Sequence, residues 1–142
     1  MQVFIIGTPL ETAMALDPLR LNKQLLETQQ ILDALNGKKA WSRHPAVLQY
    51  RGYEEWLRFY LQCLKWYAHG NRYWAELFSH QAQRLRPEWH CAEYYINMKR
   101  RLYSKNPEHY KQWAHLGTSL ANWYWSQEEN MFIKYINGKR IL

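Results

Sequence analysis

Proline placement divides this chain into helices. Four of its five prolines follow a residue suited to closing a helix start or a turn: Thr8-Pro9, Asp17-Pro18, His44-Pro45 and Asn106-Pro107. Proline lacks an amide hydrogen and holds φ near a helical value, so the first helical position suits it and helix interiors do not. Thr8-Pro9-Leu10-Glu11 has Thr as N-cap and Glu three positions later, the pattern of a capping box. Asp17-Pro18 repeats the signal and opens a long amphipathic helix over about 18–36, which Asn36-Gly37 ends. His44-Pro45 begins another helical piece, broken near Gly52, and a strong helix then runs to about His69, with Gly70-Asn71 as its stop.

Spacing assigns faces to these helices. Residues three, four and seven apart share one side. Arg20, Lys23, Gln24, Glu27 and Gln30 thus form a polar stripe on the 18–36 helix, and Leu21, Leu25, Leu32 and Leu35 an apolar stripe expected to face a core. Tyr53, Trp56, Tyr60, Cys63 and Tyr67 recur at the same spacing and read as a core seam; an exposed stacking platform is the other reading. A short helix is expected over 73–84 and another over 88–104, ending in Lys99-Arg100-Arg101. Asn106-Pro107-Glu108 breaks it and starts a last short helix through Trp113, and Gly117 to Asn122 reads as a loop.

Both ends of the chain differ in character. Residues 2–6 read as a short strand or extended arm. Near the other end, Met131–Ile136 and Lys139–Leu142 flank Asn137-Gly138, the strongest two-residue hairpin signal. The expected fold class is all-α, a mainly helical single domain over 1–142 with an extended N-terminal arm, a small C-terminal β-hairpin, and 118–142 as a C-terminal extension.

Charge narrows the partners. The formal net charge is +7, and 16% of residues are aromatic. Phosphates pair with Lys and Arg while bases stack on rings, so this combination favours a nucleic-acid partner. No stretch approaches the ~20 apolar residues of a membrane span. A cytoplasmic protein with no membrane partner, favoured as a monomer, is expected. Cys63 and Cys91 are the only cysteines, and both are expected as buried free thiols. The six histidines are scattered, no Gly-rich phosphate loop or nucleophile elbow occurs, and no metal or other cofactor is expected.

What remains for chemistry is Glu27, the cations near it and the chain start. A lone Glu on a helix is most often solvated or ion-paired, and Arg20 and Lys23 are ready partners for it. Two longer motifs bear on the choice. Leu16-Asp17-Pro18-Leu19-Arg20-Leu21-Asn22-Lys23-Gln24-Leu25-Leu26-Glu27-Thr28-Gln29-Gln30-Ile31-Leu32 resembles the pyrimidine-dimer DNA glycosylase family, the phage endonuclease V type and its bacterial relatives. So does His44-Pro45-Ala46-Val47-Leu48-Gln49-Tyr50-Arg51-Gly52-Tyr53-Glu54, and a third match is Lys105-Asn106-Pro107-Glu108-His109-Tyr110. The resemblance covers residues 1 to about 115.

The resemblance implies a free N-terminal α-amine that attacks C1′ of the damaged nucleotide, forms an imine and cuts the strand by β-elimination. The catalytic glutamate of the family falls on Glu27. Position 2 is Gln, a bulky residue that ordinarily leaves the initiator methionine in place, so the implied nucleophile is the α-amine of Met1. An α-amine titrates near about 7.7–8.0, far below lysine, and so offers a neutral fraction at pH 7. A carboxylate is the natural counterpart of a developing oxocarbenium charge. Arg20, Lys23, Gln24, His44, Arg51, Lys99 and Arg100, with Arg101 beside them, are the candidate contacts to double-stranded DNA. For each an ordinary surface charge, ion pair or cap is the alternative. Two other functions stay open: a non-catalytic nucleic-acid-binding protein or a glycosylase for another modified base on the same scaffold, and a helical interaction protein whose charge is incidental.

Overall fold

A computed structural model describes residues 1–141 and divides the chain into two compact units, Met1–Pro87 and Glu88–Leu142. The fold is mainly helical, with a small antiparallel sheet near the C-terminus.

The first unit holds α1 (Pro9–Ala15), α2 (Pro18–Leu35), α3 (Pro45–Leu48), α4 (Glu54–Ala68) and α5 (Arg72–Arg84). The helix starts fall where the prolines put them. Thr8 and Glu11 form the capping box at α1. His44 caps α3, its Nδ1 accepting from the Ala46 amide at 3.0 Å. Asp17 precedes α2 without capping it; its carboxylate binds the Arg20 guanidinium at 3.1 Å instead. Gly37 and Gly52 have φ of +106° and +90°, which glycine adopts without steric cost, and they end α2 and separate α3 from α4.

Helix α4 is the centre of this unit and packs against α5, α2 and α1. Its Trp56, Leu57, Tyr60, Leu61, Cys63 and Leu64 are buried. The ring seam is therefore core at Trp56, Tyr60 and Cys63, while Tyr53 and Tyr67 are half-buried. Tyr50 stacks on Trp56 with ring centroids 5.4 Å apart, and Tyr60 meets the other side of Trp56 edge-on at 5.0 Å. Burial pushes the Cys63 thiol up to about 12, which keeps it protonated and inert.

The inward face of α2 differs from the expected stripe. Gln24, Thr28, Ile31, Leu32 and Ala34 are the buried residues, whereas Leu21, Leu25 and Leu35 are only half-buried. The reason lies in the arm. Residues 1–5 belong to no helix or sheet, so no neighbouring strand satisfies their backbone groups. Val3, Phe4 and Ile5 are nonetheless buried. Buried amides and carbonyls require partners, and here side chains supply them.

The second unit holds α6 (Ala92–Lys105), a 3-10 helix (Lys111–Leu116) and strands β1 (Asn122–Ser126), β2 (Met131–Ile136) and β3 (Lys139–Ile141) in antiparallel order β1-β2-β3. The Asn137-Gly138 hairpin is present, with both residues at positive φ (52° and 76°), as a type I′ turn requires. Strand β1 adds a third strand that the hairpin signal did not announce. Helix α6 starts later than expected because Trp89 and His90 lie ahead of it, packed ring against ring with Tyr94. The segment after Pro107 forms a turn followed by a 3-10 helix to Leu116. Cys91 is partly exposed at the head of α6, not buried as expected.

Candidate functional site

The site grows from the way the arm is held. Gln24 is 1% exposed and uses both ends of its amide. Its Nε2 donates to the Gln2 carbonyl at 2.7 Å, and its Oε1 accepts from the Phe4 amide at 3.0 Å. One glutamine thus replaces the strand that the arm lacks. The Tyr60 hydroxyl shares its one hydrogen between the Phe4 carbonyl at 2.6 Å and Gln24 Oε1 at 2.9 Å. Thr12 Oγ1 accepts from the Ile6 amide at 3.1 Å. Gln24, expected to contact DNA, lies buried beneath the arm and is occupied by these bonds.

This clamp fixes the register of the chain start against α2. One turn beyond Gln24, Glu27 Oε2 accepts from the Gln2 amide at 2.9 Å. The expected pair of Met1 and Glu27 is thus brought into one place by a hydrogen bond to the adjoining residue. Glu27 remains half-exposed.

His44 belongs to the same neighbourhood. Its imidazole is held below the ordinary value of 6.5, first by burial and second by the positive N-terminus, with Glu27 opposing in the raising direction. A side chain that feels both the amine and the carboxylate joins the α3 cap to the arm electrostatically. The cap bond to Nδ1 requires that nitrogen to be an acceptor, so the neutral ring carries its hydrogen on Nε2.

Beside His44 lies an open groove of about 420 Å³ lined by Lys39, Trp41, Ser42, Arg43 and His44. Trp41 is 50% exposed and has φ of +65°. That left-handed backbone costs about 1–3 kcal/mol for a bulky side chain. Turn hydrogen bonds hold it: Ser42 donates to the Lys39 carbonyl at 3.2 Å and His44 to the Trp41 carbonyl at 2.9 Å. The indole meets the His44 ring edge-on at 5.8 Å. In the sequence the only mark of this segment is a tryptophan set among Lys38, Lys39 and Arg43.

The other expected contacts have distinct placements. Arg20 is largely occupied with Asp17, its side chain 17% exposed. Lys23 and Arg51 lie on the exposed surface of the first unit. Lys99, Arg100 and Arg101 belong to the second unit, where they support its own tail. Arg100 Nε donates to the Leu116 carbonyl at 2.6 Å, Arg101 donates to the Ser119 carbonyl at 3.4 Å, and Lys99 lies over the Trp113 ring at 5.8 Å. Among the described residues no group of His, Cys, Asp and Glu is placed to hold a metal ion, and no helix is long and apolar enough to cross a membrane.

Comparison with known proteins gives one match. Residues 1–66 match the family described as Pyrimidine dimer DNA glycosylase. The match takes in the arm, Gln24, Glu27, the groove and His44, and it supports the family that the Leu16–Leu32 and His44–Glu54 motifs indicate. No curated protein and no solved structure gives a significant match.

Proposed function

We propose that the protein is a DNA glycosylase with AP-lyase activity, acting on a cyclobutane pyrimidine dimer in duplex DNA. The neutral α-amine of Met1 attacks C1′ of a damaged nucleotide. The N–C1′ bond forms, the glycosidic bond breaks, and the base leaves with that bond's electron pair and takes up a proton. Opening of the sugar ring gives an imine. Loss of a proton from C2′ then expels the 3′ phosphate by β-elimination, and water releases the chain start.

Glu27 supplies the negative charge that faces the cationic sugar and the iminium. It also offers a carboxylate to carry protons between the amine, the ring oxygen and C2′. The arm clamp contributes by holding the nucleophile in register, since ordering it beforehand removes an entropic cost from the reacting complex. His44 in its neutral form adds an N–H at the edge of the site without a competing positive charge. Lys23 and Arg51 supply cations for the phosphates on either side, which fix the register of the duplex. Reaching C1′ requires a distorted duplex with the damaged nucleotide displaced.

The observation that carries this reading is the 2.9 Å hydrogen bond from the Gln2 amide to Glu27 Oε2, which sets the first residues of the chain against an acid. The test is reductive trapping. Tag-free protein is mixed with duplexes containing a thymine dimer, an abasic site or no lesion, and borohydride is added. A covalent adduct on the N-terminal peptide is expected with the dimer and with the abasic site. An adduct with the abasic site alone would leave a lyase without glycosylase activity. Salt-sensitive binding with no adduct would reduce the protein to a DNA-binding scaffold.

A further inference from the structure

Helix α5 has two apolar sides, and only one of them is buried. Ala75, Ser79 and Ala82 face inward. Trp74, Phe78, Gln81 and Leu85, at i, i+4, i+7 and i+11, mark a second side, with Tyr73 and Leu77 next to it. Tyr73 is 72% exposed and Trp74 41%. Helix α4 continues this surface. Trp66 lies against Trp74 and Phe59 against Phe78, each pair with ring centroids 6.1 Å apart. Tyr73 meets Trp74 edge-on at 5.5 Å, and Phe78 tilts against Trp74 at 6.2 Å. The rings therefore form one continuous row along the seam of the α4–α5 hairpin. Soluble proteins rarely leave such a row in contact with water unless it meets a partner.

The charges beside the seam indicate which partner. Its acids are already occupied: Glu54 accepts from the Gly52 amide at 3.1 Å, Glu55 lies 3.8 Å from Arg58, and Glu76 lies 3.9 Å from His80. Three exposed cations are not. Lys65 adjoins Trp66, Arg72 adjoins Tyr73, and Arg84 shares the side of Tyr73 and Leu77. None of the three has a carboxylate at ion-pair distance among the described residues. We propose that the seam docks an acidic amphipathic helix of a partner protein. Its apolar side chains would lie between the rings, and its carboxylates over Lys65, Arg72 and Arg84. Ring rows that follow the helix axes leave a furrow that a third helix fills. Trp, Tyr and Arg are also the side chains that carry most binding energy at protein interfaces. Nucleic acid fits less well, because the rings lean on one another and Leu77 and Leu85 offer nothing to a base or a phosphate. None of these residues has a role in the proposed chemistry.

The test is a selection on the full-length protein. Random peptides of about sixteen residues, enough for four helical turns, are displayed on phage and selected against it. Selected peptides should carry Leu, Phe or Trp at i, i+3, i+4 and i+7, with Asp or Glu between them. Fluorescence anisotropy of a labelled copy then gives affinities for the wild type, Tyr73→Ala and the double variant Arg72→Glu/Arg84→Glu. Tyr73→Ala should bind about tenfold more weakly, the loss of one interface anchor. The double variant should lose about tenfold for the acidic peptide and regain it for a version with lysine at each acidic position. All three replaced side chains are exposed, so both variants should melt as the wild type does.

Selected peptides without that spacing, or with equal affinity for the wild type and both variants, would overturn the proposal. Equal binding of the acidic and lysine versions to the wild type would do the same. So would a different occupant. That would be a dimer in sedimentation that Tyr73→Ala dissociates, or binding to undamaged duplex DNA or phosphatidylglycerol vesicles that Tyr73→Ala abolishes.

Discussion

The Gln2 amide donates to Glu27 Oε2 at 2.9 Å, a contact between the second residue of the chain and the polar side of α2. It makes Glu27 part of the arm's anchorage as well as the proposed acid of the site. These roles are separable, because a neutral amide oxygen can accept the same hydrogen bond.

Glu27→Gln should therefore keep the arm in place while removing the charge. Adduct formation on abasic DNA is expected to fall by about 10²-fold or more, the scale of a lost electrostatic or acid–base group. Affinity for the duplex should not fall, since the change removes a negative charge from a DNA-facing site. Rapid-quench trapping with a parallel binding titration measures both. A wild-type rate of adduct formation would remove Glu27 from the chemistry.

Gln24→Ala should destabilise the protein far more than Lys23→Ala on the same helix. It strands the Gln2 carbonyl and the Phe4 amide beneath the arm. Each buried group left without a partner costs about 1–3 kcal/mol. Tyr60→Phe should cost less, because Gln24 still holds the arm at Phe4. Urea midpoints at constant slope give the comparison. If Gln24→Ala unfolds at the wild-type midpoint, the clamp does not hold the arm.

His44 should titrate below 6.5, and two changes should move it in opposite directions. Glu27 raises its value and the N-terminus lowers it, so Glu27→Gln should depress it further and acetylation of the α-amine should lift it. Histidine NMR signals report both shifts. The sign of the stability effect follows. A histidine whose folded value is depressed favours the unfolded state's uptake of protons. Its contribution to stability is therefore complete above about 6.5 and is lost as pH falls through the folded value. An upward shift of His44 in Glu27→Gln would contradict the electrostatic link between the cap and the acid.

Helix boundaries were legible because they depend on local chemistry. Thr8, His44 and the prolines after them act within one turn, and the helices begin where those residues stand. The hairpin at Asn137-Gly138 was legible for the same reason. The inward face of α2 was not. Its pattern answers to the arm, a segment about twenty residues away, whose unpaired backbone makes a buried glutamine more useful than a leucine. Strand β1 was hidden because Asn122–Ser126 carries Trp123, Tyr124 and Trp125 in succession, without the alternation that marks a half-buried strand. Its pairing with β2 at Tyr124↔Ile133 becomes visible only in the fold. Arg100 and Arg101 illustrate a third limit: a basic run on a helix looks the same in sequence whether or not it meets the chain's own carbonyls.

The clamp also gives chain processing a chemical meaning. Gln24 holds the arm through Gln2 and Phe4, so its grip does not depend on Met1. If an aminopeptidase removed Met1, the nitrogen that now donates to Glu27 as an amide would become the new α-amine, still bound to the same carboxylate. Maturation would then shift the nucleophile inward by one residue within an unchanged fold. A free N-terminal glutamine can also close on its own side chain to a lactam, and the amine would be lost. Lactam closure after removal of the methionine, and not the removal itself, would thus silence a molecule, and intact mass would read that state directly.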